Sequence, residues 1–301
     1  MSRTVTVGLD GSPESRAAAE WAAREAELRG LPLRLVHVWE PVPEPVAESV
    51  QLAPARQKHW SERIPGEAAA RIRSRHPGVE VIVEPVPGRP MDVLPEVAKG
   101  TDLLVLGSRG LGGLRGFLVG SVGTSVIART EMPVVLVRSV DRTGAGDAEE
   151  SSGAAPAVAA YPPVVVGVDT ERPDDTVITF AFEEAARRGA VLKAVHGWTL
   201  PAYYAYALPA DPGLGTELSE QEAAALATVL RPWREKYPDV EVVEESRSGS
   251  AARHLVDAAR DASLVVVGRR IRRGPFGART GPVTHAVLHH AVAPVAVVAH
   301  D

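Results

Sequence analysis

The feature that most constrains the fold is that the chain is written twice. The stretch Val5–Asp10 (VTVGLD) returns as Val164–Asp169 (VVVGVD), an offset of 159 residues from Asp10 to Asp169. Leu35–Trp39 (LVHVW) returns as Ala194–Trp198 (AVHGW) at the same offset. Leu103–Gly107 returns as Leu264–Gly268, and Pro133–Val137 as Pro294–Val298, both at 161. An offset that drifts by so little across a whole domain means a tandem duplication with few insertions, hence two domains of one fold. A length of 301 residues, 45% of them hydrophobic, suits two domains of ordinary size.

Within the first copy, strand and helix signals alternate. Thr4–Leu9 reads as a buried strand. Asp10–Ser12 turns the chain, with Ser12 as N-cap and Pro13 at the first helical position. The helix that follows buries Ala18, Trp21 and Ala22 and stops at Gly30. Leu33–Trp39 is a second strand, and the proline-rich stretch Pro41–Pro54 an extended loop. A helix is expected over residues 55–75, with Trp60, Ile64, Ala68 and Ile72 at helical spacing and a kink or split at Pro65 and Gly66. Val79–Val86 reads as strand three, Pro90–Lys99 as a short helix, Asp102–Leu106 as strand four. A helix from Gly120 or Ser121 to Arg129 and the strand Pro133–Val137 complete the copy. Such alternation gives a doubly wound, mostly parallel α/β sheet covered on both faces. The expected domains are residues 1–140 and 161–301, joined by a flexible linker over 141–160 that is poor in large apolar residues. Ligands of such sheets bind beyond the carboxyl ends of the strands, near the topological switch. Asp10, Val38 and Gly107 all fall at those ends.

Residues 107–122 read GSRGLGGLRGFLVGSV, with glycines at 107, 110, 112, 113 and 116. A strand feeding a glycine-rich loop that ends at a helix start is an arrangement that cradles phosphate, because free N–H groups and the helix dipole face the anion. The P-loop pattern Gly-x4-Gly-Lys-Ser/Thr is absent, and the third glycine of the dinucleotide pattern falls on Arg115. The spacing Gly107-x2-Gly110-x9-Gly120-Ser121 instead resembles the ATP-binding motif of the universal stress protein family, and the repeat extends that resemblance to nearly the whole chain as a tandem two-domain member.

The resemblance implies two Rossmann-like domains, each with five strands in the order 3-2-1-4-5. It implies that ATP is held in the first domain by Gly107, Ser108, Arg109, Gly110, Leu111, Gly112 and Gly113, with Gly120, Ser121 and Val122 at the helix start. Gly8, Asp10 and Val38 would face the adenosine part, and a carboxylate at Asp10 can accept from ribose hydroxyls or the adenine amine; Asp10 as a turn cap before Gly11 is the other reading. With no P-loop lysine present, Mg²⁺ would neutralise the phosphates, and no protein side chain is assigned as a metal ligand. Family members pair through their fifth strands, so an intramolecular pseudo-dimer is expected, with a homodimer of whole chains as a further assembly. The implied role is regulatory, in a stress response; the sequence does not name the protein partner.

The second loop has drifted. Between Gly268 and Gly281 it reads GRRIRRGPFGARTG, with Ile271 in the place of Gly110 and Pro282 in that of Ser121. A second site would use Gly167, Asp169, Gly268, Arg269, Gly274, Gly281 and Val283, with the loop arginines substituting for lost backbone donors; a decayed site with solvated arginines is the alternative. Gly197 stands where the first copy has Val38.

No catalytic machinery is evident: the loop has no water-activating carboxylate, and no nucleophile is paired with a base. At most slow ATP hydrolysis is expected. The signatures His-x-Gly-His and Ser-Gly-Gly-x-Asp-Ser of related adenine-nucleotide enzymes are missing. A nucleotide-independent interaction scaffold and a cyclic-AMP-binding variant are the competing readings. His37 and His196 are expected as hydrogen-bonded core histidines, His285, His289 and His290 as surface residues. Tyr203, Tyr204 and Tyr206 form either a contact surface or a cover for their own crevice. A net charge of −5 gives no global support for nucleic acid. The chain has no cysteine, no apolar leader and no run near the roughly 18–20 residues of a membrane span, so a cytoplasmic location is the expectation.

Overall fold

The computed structural model describes residues 3–41, 54–109, 119–139, 161–199, 212–271 and 280–301. The first repeat runs β1 (Val5–Leu9), α1 (Pro13–Arg29), β2 (Leu33–Trp39), α2 (Pro54–Arg75), β3 (Val81–Pro87), α3 (Pro90–Ala98), β4 (Leu103–Gly107), α4 (Ser121–Arg129) and β5 (Val134–Val137). The second runs β6 (Val164–Gly167), α5 (Asp175–Arg188), β7 (Leu192–Trp198), α6 (Pro212–Lys236), β8 (Val242–Ser248), α7 (Ala251–Ala258), β9 (Leu264–Arg270), α8 (Pro282–His290) and β10 (Val295–His300).

Each repeat contributes five parallel strands in the order 3-2-1-4-5, as the resemblance implied. They are not two separate sheets. β5 and β10 pair antiparallel, Val295 opposite Leu136 and Val297 opposite Val134, and fuse the halves into one ten-stranded sheet. Composition explains the join: β5 is four buried apolar residues. Left as an edge it would expose unpaired N–H and C=O groups on a hydrophobic strand.

Local signals act as the sequence indicated. Ser12 caps α1 by accepting from the Ser15 N–H, and Asp174 caps α5 by accepting from Thr176 and Val177. Both helices end on a left-handed glycine, Gly30 (φ 61°) and Gly189 (φ 56°), where a side chain would be strained. β3 starts at Val81 rather than Val79. α2 is a single run through Pro65, not split there; Ala68, Ala69 and Ile72 are buried on the turns that follow, and that packing outweighs the lost N–H. Two apolar layers, one on each face of the sheet, run across both repeats. Among the described residues no helix is long and apolar enough to cross a membrane.

Where α1 meets α5, the duplication places a buried charge tetrad. Glu25 and Arg29 on α1 match Glu184 and Arg188 on α5 at the 159-residue offset. Arg29 reaches Glu184 at 2.5 Å, and Arg188 reaches Glu25 at 2.5 Å. Within each helix, Arg29 binds Glu25 at 2.7 Å and Arg188 binds Glu184. Residue i meets j and j meets i, the contact rule of a twofold interface carried inside one chain. The two carboxylates are not equivalent. Burial pushes Glu25 above its ordinary value, the charge of Glu184 adds to that push, and Arg188 and Arg29 oppose it. Burial also raises Glu184, but Arg29, Arg188 and Arg187 together outweigh it and hold Glu184 below its ordinary value. The extra cation breaks the symmetry, since the first repeat has Leu28 where the second has Arg187.

Candidate functional site

Two crevices lie at the carboxyl ends of the strands, one per repeat. In the first, β1 ends at Asp10, whose Oδ1 accepts from the Ser12 N–H (2.9 Å) and hydroxyl (2.6 Å). Asp10 therefore does cap its turn. His37, half-buried, stands on the neighbouring strand with Nδ1 2.7 Å from the Leu9 carbonyl, the hydrogen bond expected of it. Val38 packs against the apolar layer under α3 and α4. A Cβ on Gly8 would meet the Leu106 side chain at 2.6 Å.

β4 delivers Gly107, Ser108 and Arg109 to this crevice. Ser108 is buried (2% exposed), donates its N–H to Val137 O (2.7 Å), and accepts from the Gly120 N–H (2.8 Å). That last bond sets the start of α4 beside the end of β4. Gly110, Leu111, Gly112 and Gly113 lie outside the described residues. α4 opens at Gly120 with no side-chain cap and no acidic residue in its first turn. The free amides at Ser121 and Val122 thus meet no competing carboxylate, the condition for an anion site at a helix start. Arg109 is drawn to Glu14 at 3.1 Å, so its charge is partly compensated before any phosphate arrives.

Gly107 has a second task that spacing alone did not reveal. A Cβ there would lie 2.9 Å from the Glu14 carbonyl carbon and from the Ser15 nitrogen, the backbone of the first turn of α1. The matched Gly268 faces the tip of the His300 ring (2.8 Å) and a Val177 methyl (3.1 Å) instead. Backbone cannot swing aside as a side chain can. Gly107→Ala is therefore expected to cost about 1–3 kcal/mol and Gly268→Ala less than about 1 kcal/mol, measured side by side by urea unfolding.

The second crevice is a cavity of about 790 Å³ lined by Gly167, Asp169, Gly268, Gly281 and Val283 among others. Five of the residues expected for a second site thus meet in one place. Gly274 lies outside the described residues. Arg269 is brought elsewhere: it is buried (3% exposed), and Nη2 donates to the Thr130 carbonyl of the first repeat at 2.6 Å. Adjacent residues on a strand point to opposite faces, so placing Gly268 at the cavity sends Arg269 away from it. Two carboxylate–imidazole pairs in this cavity were not foreseen. Asp174 lies 3.2 Å from His300, and Glu222 lies 3.2 Å from His196. The offset puts Ser15 and Ser61 where Asp174 and Glu222 stand, so the second crevice is the more acidic at those positions. Asp169 turns its own loop, accepting from Glu171 and Arg172 N–H groups. Pro282 opens α8 and removes an amide from that helix start. The His285 and His289 rings lie 4.3 Å apart, tilted by 43°, and among the described residues no three His, Asp or Glu side chains gather as a metal site.

The family model described as "Universal stress protein family" matches residues 1–138 and 160–299. A universal stress protein of Mycobacterium tuberculosis is 35% identical, the match covering 97% of this chain and 96% of that one. Another, of Mycolicibacterium smegmatis, is 33% identical over 98% of this chain and 96% of its own. Among solved structures, a universal stress protein of Archaeoglobus fulgidus covers both chains completely at a TM-score of 0.68 and 16% identity, which speaks to the fold. With the duplicated strands, the matched loop and these likenesses together, the chain belongs to the universal stress protein family.

Proposed function

We propose that the first repeat binds ATP and that the chain acts as a nucleotide-dependent regulator in a stress response. The observation that carries this reading is the Gly120 N–H to Ser108 O bond. It sets the uncapped start of α4 beside the end of β4, at the carboxyl end of the sheet. The phosphates would lie on the amides of Gly107–Gly113 and Gly120–Val122, with Mg²⁺ supplied alongside the nucleotide. Asp10, just past the end of β1, is the carboxylate proposed to accept from the adenosine part. The β5–β10 pairing supports the two repeats acting as an intramolecular pseudo-dimer, and the location proposed for it is the cytoplasm.

The test is nucleotide content of the purified chain, counted after denaturation, beside Gly120→Asp. Gly120 already has N-cap geometry (φ −67°, ψ 154°), and aspartate is a favoured N-cap. The variant therefore keeps the fold while its own carboxylate takes the amides that phosphate would use. About one ATP per chain, with affinity for ATP–Mg²⁺ reduced about 100-fold in the variant, is expected from losing charge-assisted bonds. No binding of ATP or cyclic AMP by the wild type would overturn the reading in favour of an interaction scaffold. Tighter binding of cyclic AMP than ATP would change the ligand but keep the site.

A further inference from the structure

Each of the two helices that open onto a crevice is held at its far end by an arginine from the opposite repeat. α4 ends at Arg129 with Thr130 as its C-cap, and the Thr130 carbonyl accepts from Arg269 Nη2 at 2.6 Å. α8 ends at His290, and its Leu288 and His289 carbonyls accept from Arg138 Nη2 at 2.8 and 2.7 Å. Neither arginine is a copy of the other. The offset places Ser108 where Arg269 stands and Ala299 where Arg138 stands, so duplication alone does not account for the arrangement. Cations at a helix C-terminus satisfy its free carbonyls and complement its dipole. Burial lowers the affinity of both guanidiniums for their protons, partly offset at Arg269 by Glu131 and reinforced at Arg138 by Arg109.

We infer that Arg269 and Arg138 are positioning residues acting across the repeat boundary, Arg269 for the α4 cradle of the first crevice and Arg138 for α8 at the second. The geometry is that of a short rigid rod. Nine residues of α-helix span about 13 Å, so a lateral shift at the C-terminus becomes a tilt at the N-terminus. α4 has no side-chain cap at its start, which leaves its far end and its buried face, Gly123, Val126 and Ile127, to fix where its first amides point. A guanidinium that is itself buried in the other repeat is a firm anchor for that end. The backbone of Arg269 lies between Gly268 and Arg270, both of which line the second cavity. Occupancy of that cavity therefore has a direct mechanical route to the first cradle. Arg138 gives the reverse route, since it follows Val137, whose carbonyl accepts from the Ser108 N–H at the base of the first loop (2.7 Å).

The effect on nucleotide affinity rests on the proposed ATP site; the positioning itself does not, and the test separates them. In the full, nucleotide-free chain, amide exchange is followed at Thr124, whose N–H bonds Gly120 O (3.1 Å), and at His285, whose N–H bonds Gly281 O (2.8 Å). Arg269→Met should speed exchange at Thr124 about tenfold and leave His285 unchanged; Arg138→Met should do the reverse; Arg269→Lys should restore most of the protection. Glu184→Gln, which loosens the α1–α5 junction without touching either helix, should lower the unfolding midpoint without this site-specific pattern. ATP affinity in Arg269→Met should fall about fivefold, the size of a modest coupling between sites. Exchange unchanged at Thr124, or changed only around Thr130, would overturn the inference whether or not the chain binds ATP. Unchanged ATP affinity in a chain that binds ATP and shows the faster exchange would overturn the effect on affinity and leave the positioning upheld. A wild type that binds no nucleotide would sink the proposed function, while the exchange result alone decides the positioning.

Discussion

Arg188→Met should destabilise the chain by about 3–5 kcal/mol, the usual cost of removing one partner from a buried ion pair. Arg188 is one of the two cations of the α1–α5 tetrad that touch both carboxylates, at 2.5 Å from Glu25 and bonded to Glu184. Methionine keeps the bulk and removes the donors, which leaves Glu25 buried with Arg29 alone. Urea unfolding at neutral pH measures the loss, and a loss under about 1 kcal/mol would mean that the tetrad is solvated or slack. Replacing all four charges by Leu and Met together should recover most of the stability, because well-packed apolar groups escape the desolvation cost. The carboxylates should also separate by pH. Glu184 sits below its ordinary value, so its contribution is present above the unfolded-state pKa and is lost as pH falls through the depressed folded value. Glu25 sits above its ordinary value, so its contribution is present below the unfolded-state pKa and is lost as pH rises through the raised folded value. Glu184→Gln should therefore cost more than Glu25→Gln at neutral pH, with the gap narrowing as the solution is acidified below about pH 4. Equal costs at every pH would show that Arg187 does not break the symmetry.

The architecture was legible because its signals are local and repeated. Strand cores such as Val5–Leu9 and Leu103–Gly107 are apolar runs bounded by turns, and their return at a fixed offset doubles the information. The caps at Ser12 and Gly30 follow from backbone chemistry that a few residues determine. The strand ends that frame the first crevice were legible for the same reason. What could not be read is what depends on the second repeat lying against the first. Arg269 looked like a loop cation for phosphate; only the alternation of β9 and the position of Thr130 in three dimensions send it to α4. The tetrad did leave a trace, Glu25 and Arg29 recurring as Glu184 and Arg188, but four charges at helical spacing read equally well as a solvated face. Sequence also treated Gly107 as a residue for ligand approach, whereas its hydrogen faces the backbone of α1. Glycine marks close approach without saying by what.

Gly197 carries that last point furthest. The first repeat has Val38 at this place on strand two, and Gly197→Val would appear to restore the ancestral pattern. The expected outcome is the opposite: destabilisation of about 3 kcal/mol, at the upper end of overpacking costs. A Cβ on Gly197 would lie 2.4 Å from Ala251 Cα and 2.6 Å from Ala251 N, so the obstacle is the start of α7 itself. The start of α7 occupies the space that a side chain at Gly197 would need, and Ala251 and Leu255 of that helix line the second cavity. Pushing α7 outward would loosen Leu255, which packs at 2.9 Å against the position of a Gly167 Cβ, and would widen the cavity between β7 and α7. Gly197→Ala should already show most of the loss, because the clash begins at Cβ. Val38→Ala in the first repeat should cost only about 1 kcal/mol by removal of two half-buried methyls. Unfolding midpoints of the three variants, with Trp198 fluorescence reporting the cavity wall, test the claim. If Gly197→Val were neutral, α7 would be free to retreat, and the two repeats would be interchangeable at this position; if it destabilises as expected, the second crevice has been rebuilt around a helix that sits closer than its counterpart, and the two sites cannot hold a ligand in the same way.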